Sequence, residues 1–189
     1  IGRRCRALRV DTIVVFDTHW LVNANYHVNC APHFKGTYTS NELPHFIANL
    51  PFETPGNPGL GKLLARECNA LGVETLAHDA TTLNPEYGTL VPMRYMNADQ
   101  RFKVVSVSAL CMAHYLADSA RLGWAMRRAV EQHYDGTVAF FASGSLSADV
   151  RCDRDAEITW RILSQQGEAA RGALSLKAGV AQNVRHTFI

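Results

Sequence analysis

Thr12-Ile13-Val14-Val15-Phe16-Asp17-Thr18-His19-Trp20 is the stretch on which the fold turns. Its first five residues are β-branched or aromatic with no polar alternation, which marks a strand buried on both faces. The polar tail Asp17-Thr18-His19-Trp20 then falls at the carboxyl end of a core strand. In open α/β sheets that edge is where ligands bind.

Outward from this strand, two runs have the same character: Phe102–Ala109 and Thr137–Phe141. Tyr26–Cys30 predicts a second, more exposed strand, and Glu74–Ala77 a short one. Asn57-Pro58 opens a helix whose apolar face is Leu60, Leu63, Leu64, Cys68 and Leu71, with Gly72 closing it. Glu86–Met96 places Tyr87, Leu90, Val91 and Tyr95 at helical spacing, with Pro92 as a kink or a limit on its length. Asp118–His133 reads as a helix with Leu122, Ala125, Met126 and Ala129 inward. From Pro32 to Pro58 the composition predicts a long loop with one short helical piece at Pro44–Ile47, and His78–Pro85 predicts another loop. Strands alternating with helices give a layered α/β fold. Its central sheet should include Thr12–Phe16, Lys103–Ala109 and Thr137–Phe141, burying Val14, Val105 and Val138. Past Ser147 the pattern fades into scattered charges, with weak helical periodicity around Ile158–Leu163, so Ala148–Ile189 is expected to be peripheral.

A length of 189 residues suits one domain, and 47% hydrophobic with 19% charged residues is ordinary for a globular core. Aliphatic and aromatic residues are spread throughout, which excludes intrinsic disorder. A mean hydropathy of -0.10 excludes a bundle of membrane spans. Nineteen basic residues against 17 acidic ones leave +2, no footprint for nucleic acid. Cys5, Cys30, Cys68, Cys111 and Cys152 are widely spaced and odd in number, against a disulfide framework or a zinc knuckle. The expected compartment is the reducing cytoplasm. Ile1 leads into Gly2–Leu8, which reads as the last turns of an amphipathic helix with no signal peptide before the first strand. The expectation is a chain that begins inside a gene product.

Eight histidines invite a metal reading, and each has a plainer one. His19, on the sheet edge beside Asp17, suits a transition-metal ligand and equally a capping or packing residue. His27 and His33 read as surface or hydrogen-bonded histidines. His45 lies in Asn41-Glu42-Leu43-Pro44-His45-Phe46, an acidic and apolar setting, but no His-x-x-x-His pair occurs. His78 and His133 are isolated, and His133 near a helix end fits the helix dipole. His114 follows the core strand at the ligand edge as a candidate pocket residue. Ser143-Gly144-Ser145-Leu146-Ser147 lacks the nucleophile-elbow pattern and reads as a small-residue turn.

Four strings go further: Asp11–Asn23, Gly36–Phe46, Glu86-Tyr87-Gly88-Thr89-Leu90-Val91-Pro92-Met93-Arg94-Tyr95-Met96-Asn97, and Ala142–Ser147. Together they resemble the class III extradiol ring-cleavage dioxygenases, in particular the homoprotocatechuate-cleaving group. The resemblance covers residues 1–147. It implies a three-layer α/β catalytic domain with a central, mostly parallel or mixed sheet, incomplete here at both ends. It also implies non-haem Fe(II) held by two histidines and a glutamate. The reaction implied is O2-dependent extradiol cleavage of 3,4-dihydroxyphenylacetate in aromatic catabolism. Expected partners are the catechol and O2, with a homo-oligomer and neither nucleic acid nor membrane. Rival readings are a protocatechuate- or gallate-type enzyme, and a non-enzymatic Memo-like binding protein of the same fold.

Carried over by position, His19 matches one iron ligand. The family's other histidine ligand would precede Ile1, and nothing after Ser147 resembles the glutamate ligand. The family's acid/base histidine falls at Ala148, so no catalytic residue is assigned. Tyr87 takes the place of a pocket histidine of the protocatechuate enzymes, and His45 and His114 join it as substrate-pocket residues. The expectation is therefore a partial dioxygenase domain over 1–147 and a divergent tail over 148–189, read as a frame change or splice. The chain as written should not cleave catechols.

Overall fold

The computed structural model describes residues 1–111 and 115–143. Its elements are α1 (Gly2–Ala7), β1 (Thr12–Val22), β2 (Tyr26–Asn29), β3 (His33–Tyr38), β4 (Leu50–Pro55), α2 (Pro58–Ala70), β5 (Thr75–His78), α3 (Tyr87–Met96), β6 (Lys103–Cys111), α4 (Leu116–His133) and β7 (Val138–Ser143). A five-stranded sheet has the order β5-β2-β6-β1-β7. β1 runs parallel to both β6 and β7, while β2 lies antiparallel to β6 and parallel to β5. The sheet is thus mixed, with its three core strands ending at one edge.

Alternation along β1 divides its side chains between two apolar layers. Val14 and Phe16 join Leu60 and Leu64 of α2 and Leu122 and Met126 of α4 on one face. Ile13 and Val15 join Cys5 of α1, Met93 and Met96 of α3, and Phe102 on the other. Both faces are covered, so the three-layer α/β architecture holds. Each such fully buried side chain contributes roughly 1.5–3 kcal/mol relative to exposure.

Asn57 caps α2 by accepting from Leu60 N at 3.1 Å, and its amide donates to Thr12 Oγ1 and Tyr134 Oη, each at 2.9 Å. That one side chain fixes the start of α2 against the start of β1. Gly72 closes the helix at φ +74°, a conformation that costs glycine nothing.

Several expectations need correction. The stretch from Pro32 to Pro58 is not one loop: β3 and β4 pair antiparallel from His33↔Pro55 to Tyr38↔Leu50 as a separate two-stranded sheet. The helical piece expected at Pro44–Ile47 is a turn. β2 is buried rather than exposed, with Tyr26 at 2% and Val28 at 0%, because β5 and β6 flank it. Val14 and Val105 are fully buried as expected, but Val138 is only partly so because among the described residues β7 pairs with β1 alone. Tyr95 is 80% exposed, since α3 turns Leu90, Met93 and Met96 inward instead. Pro92 sits inside α3 without ending it.

Candidate functional site at the carboxyl edge of the sheet

The ladder between β1 and β6 breaks where the polar tail begins. Asp17 pairs with Ser108, yet Leu21 pairs with Leu110, so Thr18, His19 and Trp20 face Ala109 alone. β1 therefore carries two more residues than its partner over this span. Bulges of this kind re-aim side chains and gather next to active sites. Here the bulge carries His19 to the edge where β1, β6 and β7 all end.

Asp17 holds the bulge from below. Fully buried, it accepts from His19 N at 2.9 Å through Oδ1 and from Thr89 Oγ1 at 2.5 Å through Oδ2. Thr89 Oγ1 also lies 2.9 Å from Ser106 Oγ. Burial pushes the Asp17 carboxyl above its ordinary range, and the Thr89 hydroxyl and the His19 amide oppose that shift. Gly88 packs directly on this carboxylate: a Cβ there would overlap Asp17 Oδ1. Close approach of α3, not a turn, is what requires glycine at 88.

The first turn of α3 also supplies the face on which His19 rests. The Tyr87 and His19 rings stack with centroids 3.8 Å apart and planes inclined by 27°. Glu42, from the excursion between β3 and β4, accepts from Tyr87 Oη at 2.8 Å and lies 3.4 Å from His19 Nδ1. A second Tyr–Glu pair crosses the first, with Tyr38 Oη donating to Glu86 Oε2 at 2.6 Å. Burial raises both tyrosine pKa values, and the acceptor carboxylates raise them further, so both hydroxyls stay protonated donors. The two pairs clasp the excursion to the start of α3, beside His19.

His19 and Tyr87 are thus brought into contact. His45 is exposed in the same excursion and makes no hydrogen bond or ion pair with another described residue. His114 and Ala148 lie outside the described residues. Sequence reasoning missed Glu42, Thr89 and a pairing of His27 with His78. Those two rings stack at 4.8 Å with Nδ1 and Nε2 2.8 Å apart, and Trp20 lies 6.1 Å and 6.4 Å from them. Only the adjacency of β2 and β5 creates that pair, and nothing local signals it. His33 bonds Glu53 at the surface and His133 sits in the last turn of α4, both as expected.

Whether these residues suit a 2-His-1-carboxylate metal site follows from the donors present. No group of three or more His, Cys, Asp or Glu converges on a common point among the described residues. His19 and Glu42 alone do not complete such a site, and Asp17 has both oxygens engaged within the fold.

Comparison with known proteins gives three findings. The family model for the catalytic LigB subunit of aromatic ring-opening dioxygenase matches residues 1–172. The chain is 59% identical over 157 residues to 3,4-dihydroxyphenylacetate 2,3-dioxygenase of Escherichia coli, covering 83% of this chain. It spans only 56% of that relative's length. A crystal structure of the uncharacterized Escherichia coli K12 protein JW3007 superposes with a TM-score of 0.61 at 14% identity, covering 93% of this chain and 81% of that one. That last likeness concerns the fold alone. With a bulged core strand delivering His19 onto Tyr87 and a family match across most of its length, the chain belongs to the LigB family of aromatic ring-opening dioxygenases.

Proposed function

We propose that this chain is part of an extradiol dioxygenase that opens the ring of 3,4-dihydroxyphenylacetate with O2, using Fe(II), in cytoplasmic aromatic catabolism. The observation that carries the reading is the 59% identity over 157 residues to a relative bearing that name, beside a family match over residues 1–172 that includes the His19 bulge. In this reading His19 is one iron ligand, with Nε2 free to face a metal while Nδ1 faces Glu42. Tyr87, His45 and His114 line the catechol pocket, and the complete enzyme is a homo-oligomer. Tyr87 would wall the substrate on one side, its hydroxyl held by Glu42.

The same proposal makes the present chain inactive. Among the described residues His19 is the one iron ligand assigned, and a lone imidazole retains iron poorly, because stable sites need several ligands fixed together by the fold. Ala148, at the family's acid/base position, removes a further about 10²–10⁴ in rate, the usual contribution of general acid–base catalysis. The test is to purify the chain without oxygen, add Fe(II), then supply 3,4-dihydroxyphenylacetate and air. Neither retained iron nor coloured semialdehyde is expected; stoichiometric iron with product would overturn this placement of the site. Coding DNA across codon 148 checks the division after Ser147, and a complete enzyme preferring protocatechuate would overturn the substrate.

A further inference from the structure

We propose that the cleft between β4 and α3 is a binding site for a small aromatic monocarboxylate. The cleft holds about 240 Å3, room for a single ring with a short arm. Sites for drug-sized ligands are larger, about 300–1,000 Å3. Leu50, Phe52, Leu90 and Met93 give it apolar walls, and neither His19, Glu42 nor Tyr87 lines it.

Among the polar side chains of these walls, Asn97, Thr54, Thr89 and Glu53 are already engaged, and the exposed Gln100 offers only a neutral amide. Asn97 Nδ2 donates to Thr54 Oγ1 at 3.1 Å and to Phe102 O at 2.8 Å, while Asn97 Oδ1 accepts from Phe102 N. Thr89 donates to Asp17. Glu53 is held by His33 at 3.1 Å and Lys35 at 3.2 Å. Arg94 is different. It lines the cleft, is exposed, and has no hydrogen bond or ion pair with another described residue. A cation in the last turn of a helix is favourable without any ligand. Among the described residues Arg94 is the one cation lining an apolar cleft whose other polar side chains are engaged or, at Gln100, neutral, and that is what gives it a ligand to recognise.

A guanidinium takes a carboxylate through two parallel bonds, and a flat apolar body displaces water from Leu90 and Met93. An inorganic anion lacks that body and a neutral arene lacks that charge, so the walls and Arg94 together select an aromatic acid. Thr89 belongs to the cleft wall and also donates to Asp17, which holds the His19 amide. Occupancy of the cleft is therefore one side chain removed from the bulge.

The experiment uses the 189-residue chain with carbon-13 methyl labels on leucine and methionine, titrated by NMR with benzoate and with benzamide. Benzoate should shift the Leu90 and Met93 methyl signals and saturate in the millimolar range. Benzamide, of like shape without the charge, should bind about tenfold more weakly, the loss of a charge-assisted bond. Arg94→Gln should bring benzoate to the affinity of benzamide and leave benzamide unchanged. Ala98→Trp, at an exposed position lining the cleft, should abolish both. Silent Leu90 and Met93 signals, equal binding of acid and amide, or benzoate affinity unaltered in Arg94→Gln would each overturn the proposal. No metal enters this measurement, so its outcome is independent of the ring-cleavage reading.

Discussion

The Thr89 hydroxyl, in the first turn of α3, donates to the buried Asp17 carboxylate of β1 at 2.5 Å, joining residues 72 apart in the chain. Without that donor Asp17 keeps only the His19 amide among the described residues, and leaving its buried Oδ2 unsatisfied costs about 1–3 kcal/mol. Thr89→Val should therefore lower stability by that amount in urea titration, and Thr89→Ser should recover most of it. Equal losses in both variants would show that the methyl group, not the hydroxyl, matters here.

Gly88→Ala tests the same junction from the other side. The added Cβ overlaps Asp17 Oδ1, and a fully buried carboxylate has nowhere to turn. Overpacking of this kind costs about 1–3 kcal/mol. The His19 amide should also lose protection from hydrogen exchange, because its acceptor must shift. Unchanged exchange at His19 would separate α3 packing from the bulge.

Tyr87→Phe should be mild. The stacked ring remains, and Glu42, with a side chain 60% exposed, exchanges the phenol for water. The expected loss is below about 1 kcal/mol, as for other solvent-exposed polar pairs. A larger loss by thermal melting would mean that the clasp holds more than the excursion between β3 and β4.

His78 gives a dependence on acid. Burial first, and His27 second, hold its pKa below the ordinary 6.5. The unfolded chain thus binds a proton at this ring in a range where the folded chain does not. The stability it contributes is present above pH 6.5 and is lost as pH falls from there through the folded pKa. His78→Asn should flatten that decline in urea midpoints measured across the same range. A parallel decline in the variant would assign the acid sensitivity to other groups.

Val14→Ala and Val138→Ala should differ, although the sequence presents both as core valines. Val14 is fully buried on β1, which is flanked by β6 and β7, and Val138 is partly exposed on β7, which pairs only with β1 among the described residues. Removing two buried methyl groups costs about 2 kcal/mol at Val14, and Val138 should lose less than half of that. Equal losses would place β7 deeper in the sheet than its exposure indicates.

The three core strands were readable because strands covered on both faces need no alternation, and Thr12–Phe16, Lys103–Ala109 and Thr137–Phe141 all lack it. β3 and β4 were hidden because their hairpin alternates around Pro51, Pro55 and Gly36, residues that otherwise punctuate loops. Val138 looked buried because its neighbours are apolar, whereas burial there depends on strand order, and among the described residues β7 has a partner on one side only. His19 was legible from its place after a core strand. Glu42 and Thr89 were not, since each acts through a contact with a residue far along the chain. His27 and His78 meet through strand order, a property that no local window contains.

Two surplus residues in β1 have a consequence for how this sheet edge can change. Deleting any two of the three bulged residues would let the ladder with β6 run unbroken, giving a more regular strand. The same deletion would remove or rotate the imbalance that carries His19 outward. Selection for strand regularity and selection for an imidazole at the sheet edge therefore pull in opposite directions at Thr18–Trp20. Here the chain retains the irregular form.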